Sequence, residues 1–202
     1  MSIIIQTNLN KSRQAQDLLL HQAEELGAAV CVISEPARTP GSQQLFRSEN
    51  GLASFYINNR VARYPATLLA AGRFSVIIGY GDICIASCYM SPNTDYNGYS
   101  SFIDELTILC SNIQNNHNLL ICGDFNAHSS LWDPRHQDYK GNLLENWAAQ
   151  MDVRLINVGN KSTFASAQGS LIIDLTWASP GLLGRIRNWA VRDEMESLTT
   201  HT

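Results

Sequence analysis

Three features of the sequence predict an α/β fold. Residues 3–33 read as strand, helix and strand, a crossover unit about 30 residues long. Strand candidates then follow at Leu52–Ile57, Phe74–Tyr80 and Ile83–Met90, the last two joined through Gly81-Asp82 as a hairpin. Finally, a helix-period stretch over Ser100–Ile113 leads into the apolar run Leu119–Cys122. Helices and strands alternating in this way cover sheets with helices, and either one mixed sheet or a stacked pair satisfies the pattern. With 202 residues the chain is long enough for one domain with a large core and too short for two.

Taken in order, Ile3–Gln6 is a short first strand ending at Thr7-Asn8-Leu9-Asn10. Asn10 or Ser12 can cap the helix that follows. In that helix Ala15, Leu18, Leu19, Ala23 and Leu26 share a face, and Gly27 stands where a left-handed C′ residue belongs. Ala28–Ile33 is a buried strand ending at Ser34-Glu35-Pro36, where proline forces the chain out of the sheet. Residues 37–50 read as loop. Leu119–Cys122 has the length and composition of a strand buried on both faces, with Gly123 marking its end. Asp124 and Asn126 follow two apart, on one side if the chain stays extended. A short helix over Asn142–Met151 precedes strands at Val153–Asn157, Thr163–Ser166, Leu171–Trp177 and Arg185–Val191. Asp174 falls in the middle of one of these strands. A carboxylate desolvated there needs a partner.

The bulk numbers remove several classes. An apolar fraction of 45% with 16% charged residues describes a globular chain and excludes wholesale disorder. No apolar run approaches the ~20 residues of a membrane helix, and the N-terminus lacks the basic flank of a secretory signal. Five cysteines with no C-x-x-C pair point to free thiols in a reducing, intracellular setting. The net charge of −4 argues weakly against coating nucleic acid through bulk charge. It is unevenly spread: residues 1–75 carry seven Lys/Arg against five Asp/Glu, and residues 76–202 carry seven against thirteen. A bound divalent cation would offset part of that excess.

The polar residues at strand ends are Asn8, Glu35, Tyr89, Asn93, Asp124, Asn126, Asp174 and, near the chain end, His201. Oxygen donors with one imidazole and no cysteine suit Mg²⁺ or Mn²⁺ better than Zn²⁺. A sparse Mg²⁺ site leaves room for water and a substrate phosphate, so phosphate-ester hydrolysis is the expected reaction class. Each residue alone has an ordinary reading: Asn8 as a turn residue, Glu35 as a solvated loop acid, Tyr89 as packing. His117, His128 and His136 read as loop residues.

Six motifs in order change that balance: Thr-Asn-Leu (7–9), Ser-Glu-Pro (34–36), Cys-Tyr-Met-Ser-Pro-Asn (88–93), Gly-Asp-Phe-Asn-Ala-His (123–128), Ile-Asp-Leu-Thr (173–176) and Ser-Leu-Thr-Thr-His (197–201). Together they resemble the endonuclease/exonuclease/phosphatase superfamily. Within it the sequence is similar to the apurinic/apyrimidinic-endonuclease-like domain of non-LTR retrotransposons of the arthropod type. The resemblance implies a four-layer α/β sandwich of DNase I type, with two mainly antiparallel sheets face to face and helices outside. It implies a Mg²⁺-dependent endonuclease, with Mn²⁺ as a substitute, that nicks double-stranded DNA. The 3′-hydroxyl so exposed would prime the reverse-transcriptase region of the same polyprotein, in the nucleus.

By the same resemblance Glu35 is the main metal carboxylate with Asn8 beside it, and Asp124 orients or deprotonates the attacking water. Asn126 is a phosphate or water ligand, and Tyr89 and Asn93 donate to the scissile phosphate. His201 faces that phosphate and Asp174 orients His201. Lys11, Arg13, Arg38, Arg47, Arg60 and Arg63 are candidate DNA contacts. The last motif departs from the family's Ser-Asp-His, reading Thr199-Thr200-His201, and a hydroxyl brings no charge to a cation. A weakened metal site is therefore expected. Relatives continue past the histidine into a closing strand, so the chain reads as a piece of a larger polyprotein lacking that strand. Two rival readings are a phosphomonoesterase acting on inositol phosphates or lipids, and a DNA-binding relic without activity.

Overall fold

The computed structural model describes residues 1–38, 46–114, 118–166 and 169–192. Its order is β1 (Ile3–Asn8), α1 (Arg13–Glu25), β2 (Ala28–Ser34), β3 (Phe46–Arg47), β4 (Ala53–Ile57), β5 (Ala66–Ala71), β6 (Ser75–Tyr80), β7 (Ile83–Tyr89), α2 (Tyr96–Gln114), β8 (Asn118–Asp124), α3 (Tyr139–Gln150), β9 (Arg154–Leu155), β10 (Phe164–Ser166), β11 (Gly169–Leu171), β12 (Asp174–Ala178) and α4 (Pro180–Leu183). One sheet runs β1-β2-β4-β3 and the other β5-β6-β7-β8-β12-β9, with β10-β11 as a separate hairpin. Among the described residues only β1–β2 and β7–β8 pair in parallel.

Three apolar clusters show the layering. Val30, Val32 and Phe55 of the smaller sheet meet Val76, Ile78, Ile85 and Leu120 of the larger one. The alternate residues face outward, as the two-residue repeat of a strand requires. Ile5, Cys31 and Ile33 pack on Ala15, Leu19 and Ala23 of α1. Ile77, Cys84, Ala86, Leu119 and Ile121 pack on Tyr99, Phe102 and Leu106 of α2 and on Leu144 and Trp147 of α3. Helix, sheet, sheet and helices make four layers, the expected sandwich.

Local chemistry explains the boundaries. The Ser12 hydroxyl caps α1 by accepting from the Ala15 N–H at 3.2 Å, while Asn10 lies in the turn before it. Gly27 takes a φ of 65° after α1, as expected of a C′ glycine. Gly123 does not end its strand; β8 continues through Asp124. A Cβ on Gly123 would collide with the Cys88 carbonyl, so glycine is there to let β7 and β8 approach. α2 starts a turn earlier than expected, because the Asp95 carboxylate accepts from the Gly98 N–H at 2.8 Å.

Other expectations are corrected. β5, Ala-Thr-Leu-Leu-Ala-Ala, was not anticipated; it is a largely exposed edge strand without apolar–polar alternation. Asp174 is the first residue of β12 rather than a mid-strand acid, because the Thr163 hydroxyl takes the N–H groups of Ile173 and Asp174 and separates β12 from β11. Arg185–Val191 forms no strand, and Pro180–Leu183 before it is a short helix. No helix among the described residues is long and apolar enough to cross a membrane.

Candidate active site

Alternation along two strands from different sheets delivers the site. On β1, Ile4 packs between the sheets, and the Gln6 amide bonds the Gly123 carbonyl across the gap at 3.1 Å. Two residues on, the Asn8 amide donates to Asp124 Oδ2 at 2.8 Å. On β8, Leu120 and Cys122 face the same gap, so Asp124 must too. Asp124 ends β8, an inner strand of the larger sheet. Its partners across the rung are Tyr89 on β7 and Asp174 on β12. At the matching end of the smaller sheet Asn8 pairs with Ser34, and Glu35 follows at once.

These residues therefore share one rim of the sandwich. Asn8 Nδ2 also lies 3.4 Å from Glu35 Oε2, so one amide spans the two carboxylates. Glu35 Oε1 meets the Lys11 ammonium at 3.3 Å. Glu35 and Asn126 hold left-handed backbones, with φ of 47° and 44°. That bend ends the extended path on which Asp124 and Asn126 would have faced the same way. Instead Asn126 donates its amide N–H to the Met90 carbonyl at 2.9 Å, and its backbone N–H meets Asp124 Oδ1 at 3.1 Å.

The electrostatics follow from crowding acids at a buried rim. Asp124 is 3% exposed. Burial first, then the Asp174 charge, raises its pKa well above the carboxylate range, against the hydrogen bonds from Asn8 and Asn126. Burial and the neighbouring Glu35 and Asp124 push the Tyr89 phenol up, so it stays a proton donor. Among the described residues no group of three His, Cys, Asp or Glu side chains gathers to hold a metal ion. The Glu35 carboxylate would suit a hard cation that keeps water and substrate ligands, whereas Asn8 turns its Nδ2 toward the acids and its Oδ1 accepts from the Asn10 N–H at 2.8 Å. An all-oxygen set does not fit zinc.

Asn93 is exposed in the loop after β7, near the Tyr89 end. Lys11, Arg13, Arg38 and Arg47 flank the rim by their positions at the Asn8, Ser12, Glu35 and Ser54 ends of their elements. Arg60 and Arg63 follow β4 at its other end, where Ile57 pairs with Val30. Arg60 is held there by Glu24 at 2.9 Å. Thr200 and His201 lie outside the described residues. Two cations at the rim end were not anticipated. Arg73 precedes β6, and Lys140 is 5% exposed at the start of α3. A charged residue in a helical first turn gives no sequence sign of burial.

Comparison with known proteins agrees with this architecture. Residues 83–200 match the family described as endonuclease-reverse transcriptase. No curated protein matches the sequence. Among solved structures, the endonuclease domain of TRAS1, a telomere-specific non-LTR retrotransposon, superimposes with a TM-score of 0.85 at 21% identity, over 96% of this chain and 92% of that one. The 3′ phosphatase NExo from Neisseria, bound to a product DNA hairpin, gives 0.69 at 13% identity, over 92% of this chain and 89% of that one. The 3′-5′ exonuclease NExo from Neisseria meningitidis gives 0.68 at 14%, over 92% and 90%. A DNase I-like sandwich with its acids and amides gathered on one rim, and a family match over residues 83–200, lead to one assignment: the chain belongs to the endonuclease-reverse transcriptase family of the endonuclease/exonuclease/phosphatase superfamily.

Proposed function

We propose that the chain is a Mg²⁺-dependent DNA endonuclease that nicks target DNA and leaves a 3′-hydroxyl to prime reverse transcription of a non-LTR retrotransposon. The observation that carries this is the Asn8 bridge between Asp124 and Glu35, two acids from opposite sheets brought to one rim beside Tyr89. Glu35 and Asn8 would hold the cation, which when bound neutralises charge on the phosphate. Asp124 orients and deprotonates a water, whose oxygen bonds to phosphorus as the bond to the 3′ oxygen breaks. That oxygen leaves with a proton as the 3′-hydroxyl, and the phosphate stays on the 5′ end. Tyr89 and Asn93 donate to the non-bridging oxygens and Asn126 fixes water or phosphate. Asp174 would orient His201 toward the same phosphate. Rim cations such as Lys11, Arg13, Arg38 and Arg47 would position the duplex backbone. The reverse-transcriptase region of the polyprotein would be the partner that uses the nick, in the nucleus.

The test is nicking of supercoiled plasmid with Mg²⁺ or Mn²⁺ by the wild-type chain, Asp124→Ala and Thr200→Asp. The expected result is nicking by the first, none by the second, and a lower Mg²⁺ requirement for the third. No wild-type nicking even at high protein, with DNA binding retained, favours the relic reading that Thr200 in place of an aspartate suggests. An unchanged Mg²⁺ dependence in Thr200→Asp sinks the weakened-site reading.

A further inference from the structure

The loop between β7 and α2 is gripped at alternate carbonyls by three side chains from outside it. The Met90 carbonyl accepts from the Asn126 amide at 2.9 Å, the Pro92 carbonyl from the Lys140 ammonium at 2.6 Å, and the Thr94 carbonyl from the Tyr139 hydroxyl at 3.0 Å. Asn93 stands exposed between the last two. Lys140 is 5% exposed, with its ammonium 5.7 Å from the centre of the Tyr99 ring. Desolvation lowers the Lys140 pKa, as expected for a buried ammonium. Burying a cation to meet one backbone carbonyl is costly, and a solvated loop would need no such partner.

The first turn of α3 is itself fixed to the chain that leaves β8. Asp138 Oδ1 accepts from the His128 and Gly141 N–H groups at 3.1 and 2.8 Å, and the Asp138 N–H donates to the His128 carbonyl at 2.9 Å. A Cβ on Gly141 would collide with that same carbonyl. The helix start that carries Tyr139 and Lys140 is thus bolted four residues downstream of Asp124, and it reaches over to the Asn93 loop.

We infer that Lys140 and Tyr139 are positioning residues that fix Asn93 relative to Asp124, through the Pro92 and Thr94 carbonyls. This rests on the endonuclease reading for its catalytic consequence, though not for the clamp itself. Asn93 donates to the phosphate only if its loop is already in place, and a misplacement of about 1 Å can cost on the order of 100-fold in rate.

Lys140→Met keeps the aliphatic stem and removes the donor; Tyr139→Phe does the same for the hydroxyl. Amide hydrogen exchange at Asn93 and Thr94 is expected to quicken about tenfold or more in Lys140→Met, and less in Tyr139→Phe. Nicking kcat is expected to fall about tenfold or more while KM for DNA stays within about twofold. In an Asn93→Ala background, Lys140→Met should add less than about a twofold loss, since its route to the reaction is gone. Lys140→Arg should restore much of kcat. Unchanged exchange, or an undiminished kcat loss in the Asn93→Ala background, overturns the inference. A wild-type chain that fails to nick sinks the endonuclease reading alone, and the exchange measurement then decides the clamp.

Discussion

The two ends of the sandwich differ in how many left-handed turns they place on residues that carry a side chain. Away from the site Gly27 between α1 and β2 (φ 65°) and Gly81 between β6 and β7 (φ 62°) make left-handed turns, joined by Asp152 before β9 (φ 50°). At the rim the same conformation is carried by Asn10, Lys11, Glu35 and Asn126, with φ of 46°, 59°, 47° and 44°. Such a backbone costs a residue with a side chain about 1 kcal/mol or more relative to glycine. The charges divide in the same way. The far end has exposed pairs, Arg60–Glu24 and Arg185–Asp82, whereas the rim buries Asp124 beside Asp174. Left-handed residues with side chains and a crowded, buried acid gather chiefly at the rim. That is the distribution expected where stability has been given up for chemistry.

Substitutions at both ends test this difference. Asp124→Asn should lower plasmid nicking by about 10²- to 10⁴-fold, as for loss of a general base. In EDTA it should also raise Tm at neutral pH, because burial and the Asp174 charge both disfavour the ionised carboxylate. A lower Tm would show that the rim carboxylate stabilises the fold, and the contrast would fail. Glu35→Gly should be more stable than Glu35→Ala by about 1 kcal/mol in urea unfolding, since only glycine adopts this backbone without strain. Equal stabilities would mean that the left-handed turn at Glu35 costs nothing.

A smaller effect is expected at His128, whose Nδ1 is buried with no hydrogen-bond partner. Burial holds its pKa below the usual imidazole value, helped by His136 and Lys140 and opposed by Asp138 and Asp133. The unfolded chain therefore takes the proton first, near pH ~6.5. This stabilisation is complete above that pH and is lost as pH falls toward the lower folded pKa. His128→Gln should flatten the fall in urea stability between about pH 7 and 5; an unaltered slope would rule this source out. Smallest of all, Arg185→Ala at the far end should change stability by less than ~0.5 kcal/mol, as for an exposed ion pair. A larger loss would show that the far end is more than a solvated surface.

Much of the rim could be read along the chain because strand ends are local features. The apolar run Leu119–Cys122 marks β8 and Pro36 marks the end of β2, so Asp124 and Glu35 stand out as strand-end acids from local sequence alone. The meeting of Asn8 with Asp124, 116 positions apart, depends on sheet stacking, and no local pattern encodes it. Asp174 reads as a mid-strand acid because the break before it comes from the Thr163 hydroxyl, a contact made at a distance along the chain. β5 escaped because its leucines face solvent rather than a core. Arg60 and Arg63 looked like any other loop cations; which end of the sheet a loop occupies is set by strand direction, not by composition.

The cysteines provide a clock for opening of the molecule. All five are free and buried: Cys31 in β2, Cys84 and Cys88 in β7, Cys110 in α2 and Cys122 in β8. Burial raises the pKa of every one, to about 12 for Cys31, Cys110 and Cys122, so little thiolate is present in the folded chain at neutral pH. An alkylating reagent can therefore reach them only as the layers separate. The order in which peptides carrying Cys31, Cys110 and Cys122 become labelled in rising urea would show whether the smaller sheet parts from α1 before the larger sheet parts from α2.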